Sequence, residues 1–169
     1  YVAPSRLLAG KAAVITGSTS GIGLGIARAF AAAGAHVMLN GLPSSDTETT
    51  RWRLERDFGV MAAFSPADMS MPGEIGTMFD AAVARFGKVD ILVNNAGIQH
   101  VEVIESFPPE KWDQIIAINL SAAFHSIRSA VPGMKARNWG RIINIGAAAA
   151  AIGAAEREAD EVVHRGREQ

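Results

Sequence analysis

Strand and helix signals alternate along this chain, and they predict an α/β fold built on one doubly wound parallel sheet. Three observations carry that expectation. The strand candidates are short, nearly continuous apolar runs, as expected where helices cover both faces of a sheet. The segments between them repeat apolar residues at three- and four-residue spacing, the period of a helix with one buried face. A glycine-rich turn, Thr16-Gly17-Ser18-Thr19-Ser20-Gly21-Ile22-Gly23, joins the first strand to the first helix.

The first strand is read over residues 12–16 and the first helix over 22–33, where Ile22, Ile26, Ala29, Phe30 and Ala33 form an apolar stripe that stops at a capping Gly34. Ala35 to Asn40 is a second strand. Ser44-Ser45-Asp46 offers capping oxygens to a charged helix near 46–58, and Val60 to Phe64 reads as a third strand. Ile75, Met78, Phe79, Ala82, Val83 and Phe86 share one helical face, ended by Gly87. Val89 to Val93 is a fourth strand. A long helix from about Pro109 to Arg137 precedes a fifth strand, Arg141 to Ile145, and Pro132-Gly133 is expected to kink or divide it. Residues 1–169 read as a single domain, with an atypical tail over 146–169. That tail opens with five alanines, Ala147 to Ala151, and ends in Glu156 to Gln169, where eight of fourteen residues are charged.

Composition narrows the function classes. With 16 basic and 17 acidic residues the formal charge is −1, so there is no basic field to hold nucleic acid or an anionic membrane surface. The chain has no cysteine, which excludes thiol nucleophiles, disulfides and zinc–thiolate sites. His36, His100 and His125 have no clustered partners and point to no metal. No apolar run approaches the roughly 20 residues that span a bilayer. A soluble, cytoplasmic protein is the expectation.

The glycine turn nominates a ligand. Glycines allow the backbone to turn tightly and approach a phosphate, while the N–H groups and positive dipole end of the following helix face its charge. A second element strengthens this reading: Asn94-Asn95-Ala96-Gly97 follows the fourth strand, at the carboxyl edge where open α/β sheets bind ligands. The end of the second strand, Asn40-Gly41-Leu42, bears on the kind of dinucleotide. An acidic residue there commonly receives ribose hydroxyls and an arginine a 2′-phosphate, and neither charge is present. No lysine or arginine occurs in Ser18 to Ser20 or in residues 40–46, so NAD is expected rather than NADP.

These residues resemble the short-chain dehydrogenase/reductase family, whose marks are the Thr-Gly-x-x-x-Gly-x-Gly turn and the Asn-Asn-Ala-Gly segment. The resemblance runs from about Leu8 to Ile145 and implies a Rossmann-type sheet, a nicotinamide cofactor and a homo-oligomer, by family a tetramer. It assigns Gly17, Ser18, Ser20, Gly21, Ile22, Gly23 and Asn40 to the cofactor, Asp68 to the adenine, and Asn95, Ala96 and Gly97 to the ribose region. Asn119 is similar to the asparagine of the family's catalytic tetrad. It also lies three and four residues beyond Ile116 and Ile115, so it is expected on their inward face, where a buried amide needs partners. The strings at 94–101, 107–113 and 132–145 look like the 3-hydroxybutyrate dehydrogenase branch, in which Gln99 matches a glutamine at the substrate carboxylate. His100 beside it reads as a packing or surface residue.

The remainder of the family's chemistry is missing. Such enzymes move the alcohol proton with a tyrosine and a lysine four residues later, aided by a serine. Here the only tyrosine is Tyr1 and the lysines are Lys11, Lys88, Lys111 and Lys135, so no such pair exists. The family's spacing places the serine at Ala147, the tyrosine at Asp160 and the lysine at His164; the branch's substrate histidine and lysine fall at Ala149 and Arg157. The last strands and helices of the family are also expected to be absent. Three readings of the tail stay open: sequence altered after Ile145, as by a change of frame; a truncated, non-catalytic NAD-binding relative; or a complete chain with different chemistry. The expectation is a chain that binds NAD and does not turn over a hydroxy acid or ketone at a family-like rate.

Overall fold

A computed structural model describes residues 6–146. Five parallel strands form one sheet in the order β3-β2-β1-β4-β5, with β1 at Ala12–Ile15, β2 at His36–Asn40, β3 at Ala62–Ser65, β4 at Ile91–Asn94 and β5 at Arg141–Asn144. The order reverses between β1 and β4, where Val14 lies opposite Leu92. Helices α1 (Gly21–Ala32), α2 (Thr47–Phe58), α3 (Pro72–Phe86), α4 (Pro109–Ile116) and α5 (Ala122–Ala136) connect the strands. The doubly wound parallel sheet expected from the sequence is present.

Alternation along the strands divides the core. Ala13, Ile15, Val37, Leu39, Ile91 and Val93 face α1 and α2, together with Ala27, Ala31 and Leu54. Ala12, Val14, Met38 and Leu92 face α3 and α5, together with Ile75, Met78, Phe79 and Met134. Each large side chain taken fully from water contributes about 1.5–3 kcal/mol before entropy is counted, so the central strands anchor the molecule. β5 differs: it is an edge strand, and Ile142 and Ile143 are 36% and 39% exposed.

Several sequence expectations need correction. The buried face of α1 is Gly23, Ala27 and Ala31, one position away from the expected stripe, and Ile22 is 71% exposed. Small residues occupy the centre of this face, closest to the sheet, while Ile26 and Phe30 of the expected stripe are partly buried and pack against the same core from its flank. Val83 stands 48% exposed on the outer side of α3, while the other five apolar residues of its stripe are buried. The long helix is interrupted at a π turn, Ala117–Ser121, and Pro132 lies inside α5 without dividing it.

Candidate functional site

The carboxyl ends of β1, β2, β3 and β4 converge on the glycine turn, and a network of neutral side chains binds them together. Thr16 is its centre. Its Oγ1 donates to the Val93 carbonyl (3.4 Å) and accepts from the backbone N–H groups of Asn95 (3.0 Å) and Ala96 (2.9 Å). Asn95 Nδ2 reaches back, donating to the carbonyls of Thr16 (3.0 Å) and Gly17 (2.9 Å). The two sequence motifs are therefore one structure.

Close approach explains two glycines in this turn. Gly17 has φ +61°, and a Cβ there would lie 2.8 Å from Ala96 Cα. At Gly23 a Cβ would collide with the Gly17 carbonyl oxygen and lie 2.5 Å from Asn95 Nδ2. The space at Gly21, by contrast, is open. The first turn of α1 contains no acidic residue, unlike α2 with Glu48 and α3 with Glu74, so its positive dipole end has no carboxylate within its own first turn.

Two expected ligand contacts are engaged inside the protein instead. Asn40 is 0% exposed: its Oδ1 accepts from Gly17 N–H (3.2 Å), and its Nδ2 donates to the carbonyls of Ser65 (3.2 Å) and Ala67 (2.9 Å). Ser18 is also 0% exposed; its Oγ donates to Ile15 O (2.6 Å) and accepts from Asn40 N–H (3.0 Å). Ser18 N–H then donates to Asn40 O at 2.6 Å. Both side chains are buried and hold the turn. An apolar environment makes this necessary, because each buried strand-end group left unpaired costs about 1–3 kcal/mol.

The remaining expected residues lie around the same edge. Asp68 follows β3 on an exposed loop, and its Oδ1 accepts from Ser70 N–H (2.8 Å) and Ser70 Oγ (2.7 Å). Those two hydrogen bonds hold its carboxyl below the usual carboxylate range, so it is an ionised acceptor. Ser20 and Ile22 are exposed at the start of α1, as is Gln99 in the loop beyond Gly97. His100 packs edge-on against Phe107 at 5.3 Å, in keeping with a packing role.

Asn119 lies in the π turn rather than on a regular inward face, and it is exposed. Its amide is nevertheless fully directed: Oδ1 accepts from Ile98 N–H and Nδ2 donates to Ile98 O, both at 2.9 Å. This pair fixes the backbone just after Asn95-Ala96-Gly97. The widened turn and the clamp lie beside a cavity of about 350 Å³ lined by Thr16, Asn94, Ala96, Asn119, Asn144 and Ile145. Across its floor Asn94 Nδ2 donates to Asn144 Oδ1 at 2.8 Å. The sequence expectations overlooked Thr16 and Asn144 as site residues; their signal was position at strand ends flanking the two motifs. Ala147, Ala149, Arg157, Asp160 and His164 lie outside the described residues.

Known proteins resemble this chain in sequence and fold. The family model for short chain dehydrogenase matches residues 11–159. The chain is 51% identical over 153 residues to a D-beta-hydroxybutyrate dehydrogenase of Cupriavidus necator, covering 90% of this chain and 59% of the relative. It is 55% identical over 141 residues to a D-beta-hydroxybutyrate dehydrogenase of Rhizobium meliloti, covering 82% and 54%. Among solved structures, L-sorbose reductase from Gluconobacter frateurii, complexed with NADPH and L-sorbose, superposes with a TM-score of 0.79 at 38% identity, over 83% of this chain and 53% of that one. The chain thus spans little more than half the length of these relatives. The joined glycine turn and Asn-Asn-Ala-Gly loop, the sheet order and these matches together show that the chain belongs to the short-chain dehydrogenase family.

Proposed function

We propose that residues 1–169 form one NAD-binding unit of an oxidoreductase that interconverts 3-hydroxybutyrate and acetoacetate. The observation that carries this reading is the hydrogen-bonded union of the glycine turn with the loop after β4, beside the cavity at the topological switch between β1 and β4. Identity to two D-beta-hydroxybutyrate dehydrogenases supports the substrate class. The absence of lysine and arginine from residues 40–46 supports NAD over NADP.

The site fits a dinucleotide because Gly17 and Gly23 hold backbone where a Cβ would collide with the turn or its partner loop. Backbone at Gly17, Ser20, Gly21, Ile22 and Gly23 would face the pyrophosphate, with α1 supplying its positive end. Asn40 and Ser18 keep the turn in place from behind. Asp68, held ionised by Ser70, accepts from the adenine amino group, and Asn95, Ala96 and Gly97 line the ribose region. Asn119, through its hold on Ile98, orients that loop, and Gln99 offers an amide N–H to a substrate carboxylate. When bound, the nicotinamide supplies the hydride acceptor. The family pattern further supports a cytoplasmic homotetramer.

Proton transfer is a separate matter. No Tyr-x-x-x-Lys pair occurs in the 169 residues, so the expected behaviour of this chain is NAD binding without turnover. Purified protein of verified 17.8 kDa mass would be titrated with NAD and then assayed for NADH formation from D-3-hydroxybutyrate. Saturable binding with no NADH is expected. Turnover would overturn the expectation that these 169 residues alone do not move the proton, and failure of folded protein to bind NAD would overturn the site.

A further inference from the structure

A chemically labile dipeptide lies at the centre of the hydrogen-bonded turn. Asn40-Gly41 is the sole Asn-Gly step in the chain. Because glycine carries no side chain, the backbone nitrogen of such a step has unhindered access to the asparagine Cγ. Attack there forms a cyclic imide: the bond from the glycine nitrogen to Cγ forms, the Cγ–Nδ2 bond breaks, and the glycine proton leaves with ammonia. Water then opens the ring to aspartate or isoaspartate.

The fold both requires this pair and restrains it. Position 41 is held to glycine, because a Cβ there would lie 2.5 Å from Thr19 Oγ1 and 3.1 Å from Thr19 Cγ2, on a side chain with few rotamers in which to withdraw. Position 40 is held to an amide, since its Oδ1 accepts from Gly17 N–H while its Nδ2 donates to the carbonyls of Ser65 and Ala67. A carboxylate cannot do both. Asn40 is also 0% exposed, and its backbone N–H and C=O are both paired with Ser18. Its Cγ reaches the Gly41 nitrogen only after the side-chain bonds release.

We infer that Asn40 is a deamidation site gated by the turn: the closed turn protects it, and opening starts an irreversible conversion that disables the dinucleotide site. The consequence for binding rests on the NAD reading above; the gating does not. Aspartate at position 40 would set a carboxylate oxygen against the Ser65 and Ala67 carbonyls, where Nδ2 now donates, and would bury a negative charge beside Gly17. Isoaspartate would add a carbon to the main chain between the Ser18 pairing and the Thr19 contact. Either product withdraws the support of the turn. A dinucleotide that binds only the closed turn slows the conversion by mass action.

Peptide mapping by mass spectrometry tests the inference. Trypsin releases residues 29–51, in which Asn40 is the only asparagine and no glutamine occurs, so a gain of about 1 Da reports this residue alone. Folded protein, folded protein saturated with NAD, and a synthetic peptide of residues 29–51 would be aged together at pH 8. The peptide should convert at least about tenfold faster than the folded protein, and NAD should slow the folded protein by about threefold or more again. The fraction converted at Asn40, separated by its added negative charge, should no longer bind NAD, and Asn40→Asp should behave in the same way. Equal rates in peptide and folded protein would overturn the gating. An unslowed rate under saturating NAD, or full NAD affinity in Asn40→Asp, would overturn its link to the dinucleotide site. Folded protein that binds no NAD yet outlasts the peptide would remove the NAD reading and leave the gating in place.

Discussion

The two edges of the sheet solve the same problem with different chemistry. Strand ends leave backbone N–H and C=O groups that must find partners. Around the glycine turn, on the carboxyl edge, the partners are neutral: Thr16, Ser18, Asn40, Asn95 and Asn119 supply hydroxyls and amides. At the amino edge they are charged. Asp90, 2% exposed, accepts from Ala12 N–H at 3.1 Å and pairs with Lys88 (3.2 Å) and Arg137 (3.6 Å). Arg137 Nη2 also donates to Val89 O at 2.6 Å, and Glu55 accepts from Ala62 N–H at 3.1 Å while pairing with Arg51 at 2.8 Å. A carboxylate at the glycine turn would repel a pyrophosphate, and a cation there would be drawn into the protein's own network. At the glycine turn itself, neutral side chains satisfy the backbone without placing a charge beside the start of α1, and the carboxylates of Asp68 and Glu74 enter only beyond the end of β3. At the opposite edge, away from the glycine turn, ion pairs serve.

The sharpest way to break the carboxyl edge is Gly23→Ala. The added methyl would strike the Gly17 carbonyl and Asn95 Nδ2, so overpacking should cost about 3 kcal/mol in denaturant unfolding and abolish NAD binding in the same protein. Asn40→Ala comes next. It strands Gly17 N–H and two buried carbonyls, with an expected loss of about 2–3 kcal/mol and NAD affinity weakened more than tenfold, since the turn is then unsupported. Asp90→Ala should cost about 2 kcal/mol, less than a fully buried pair because Lys88 and Arg137 side chains are each 34% exposed and can reach water. Its NAD affinity should stay unchanged; a parallel loss of binding would show that the two edges are not separate systems.

The smallest effect is one of pH and belongs to the amino edge. Burial first, and then Lys88 and Arg85, hold the His36 pKa below its ordinary 6.5, and its Nδ1 accepts from Met61 N–H at 3.0 Å. The folded state keeps this imidazole neutral, whereas the unfolded chain takes up a proton near 6.5. Its contribution is therefore fully present above that pH and declines as pH falls below it. His36→Asn, which preserves an acceptor near Nδ1, should flatten this acid limb of the stability curve. Unfolding midpoints compared between pH 8 and pH 5.5 would check it, and an unaltered slope would remove His36 from the account.

Legibility differed between the edges for a physical reason. Local period and glycine placement identified the sheet, the turn and the Asn94 to Gly97 loop, because these depend on neighbours a few residues away. The partners of Asn40 at Gly17, Ser65 and Ala67 are 23 to 27 residues distant, and nothing local signals that its amide faces inward. The same holds for Asn119. Its clamp on Ile98 spans 21 residues, and the π turn that presents it replaced the break expected at Pro132.

What the sequence alone determined was the order of strands and helices, the dinucleotide turn, the likeness to a dehydrogenase family and the lack of a Tyr-x-x-x-Lys pair. Those are properties of spacing and residue identity. Only the tertiary structure decided which polar side chains are buried and committed to the protein's own backbone. It turned Ser18 and Asn40 into supports and made Thr16 the joint between two motifs. Hydrogen-bond direction and burial are set by groups far apart in the chain, and folding alone brings them together.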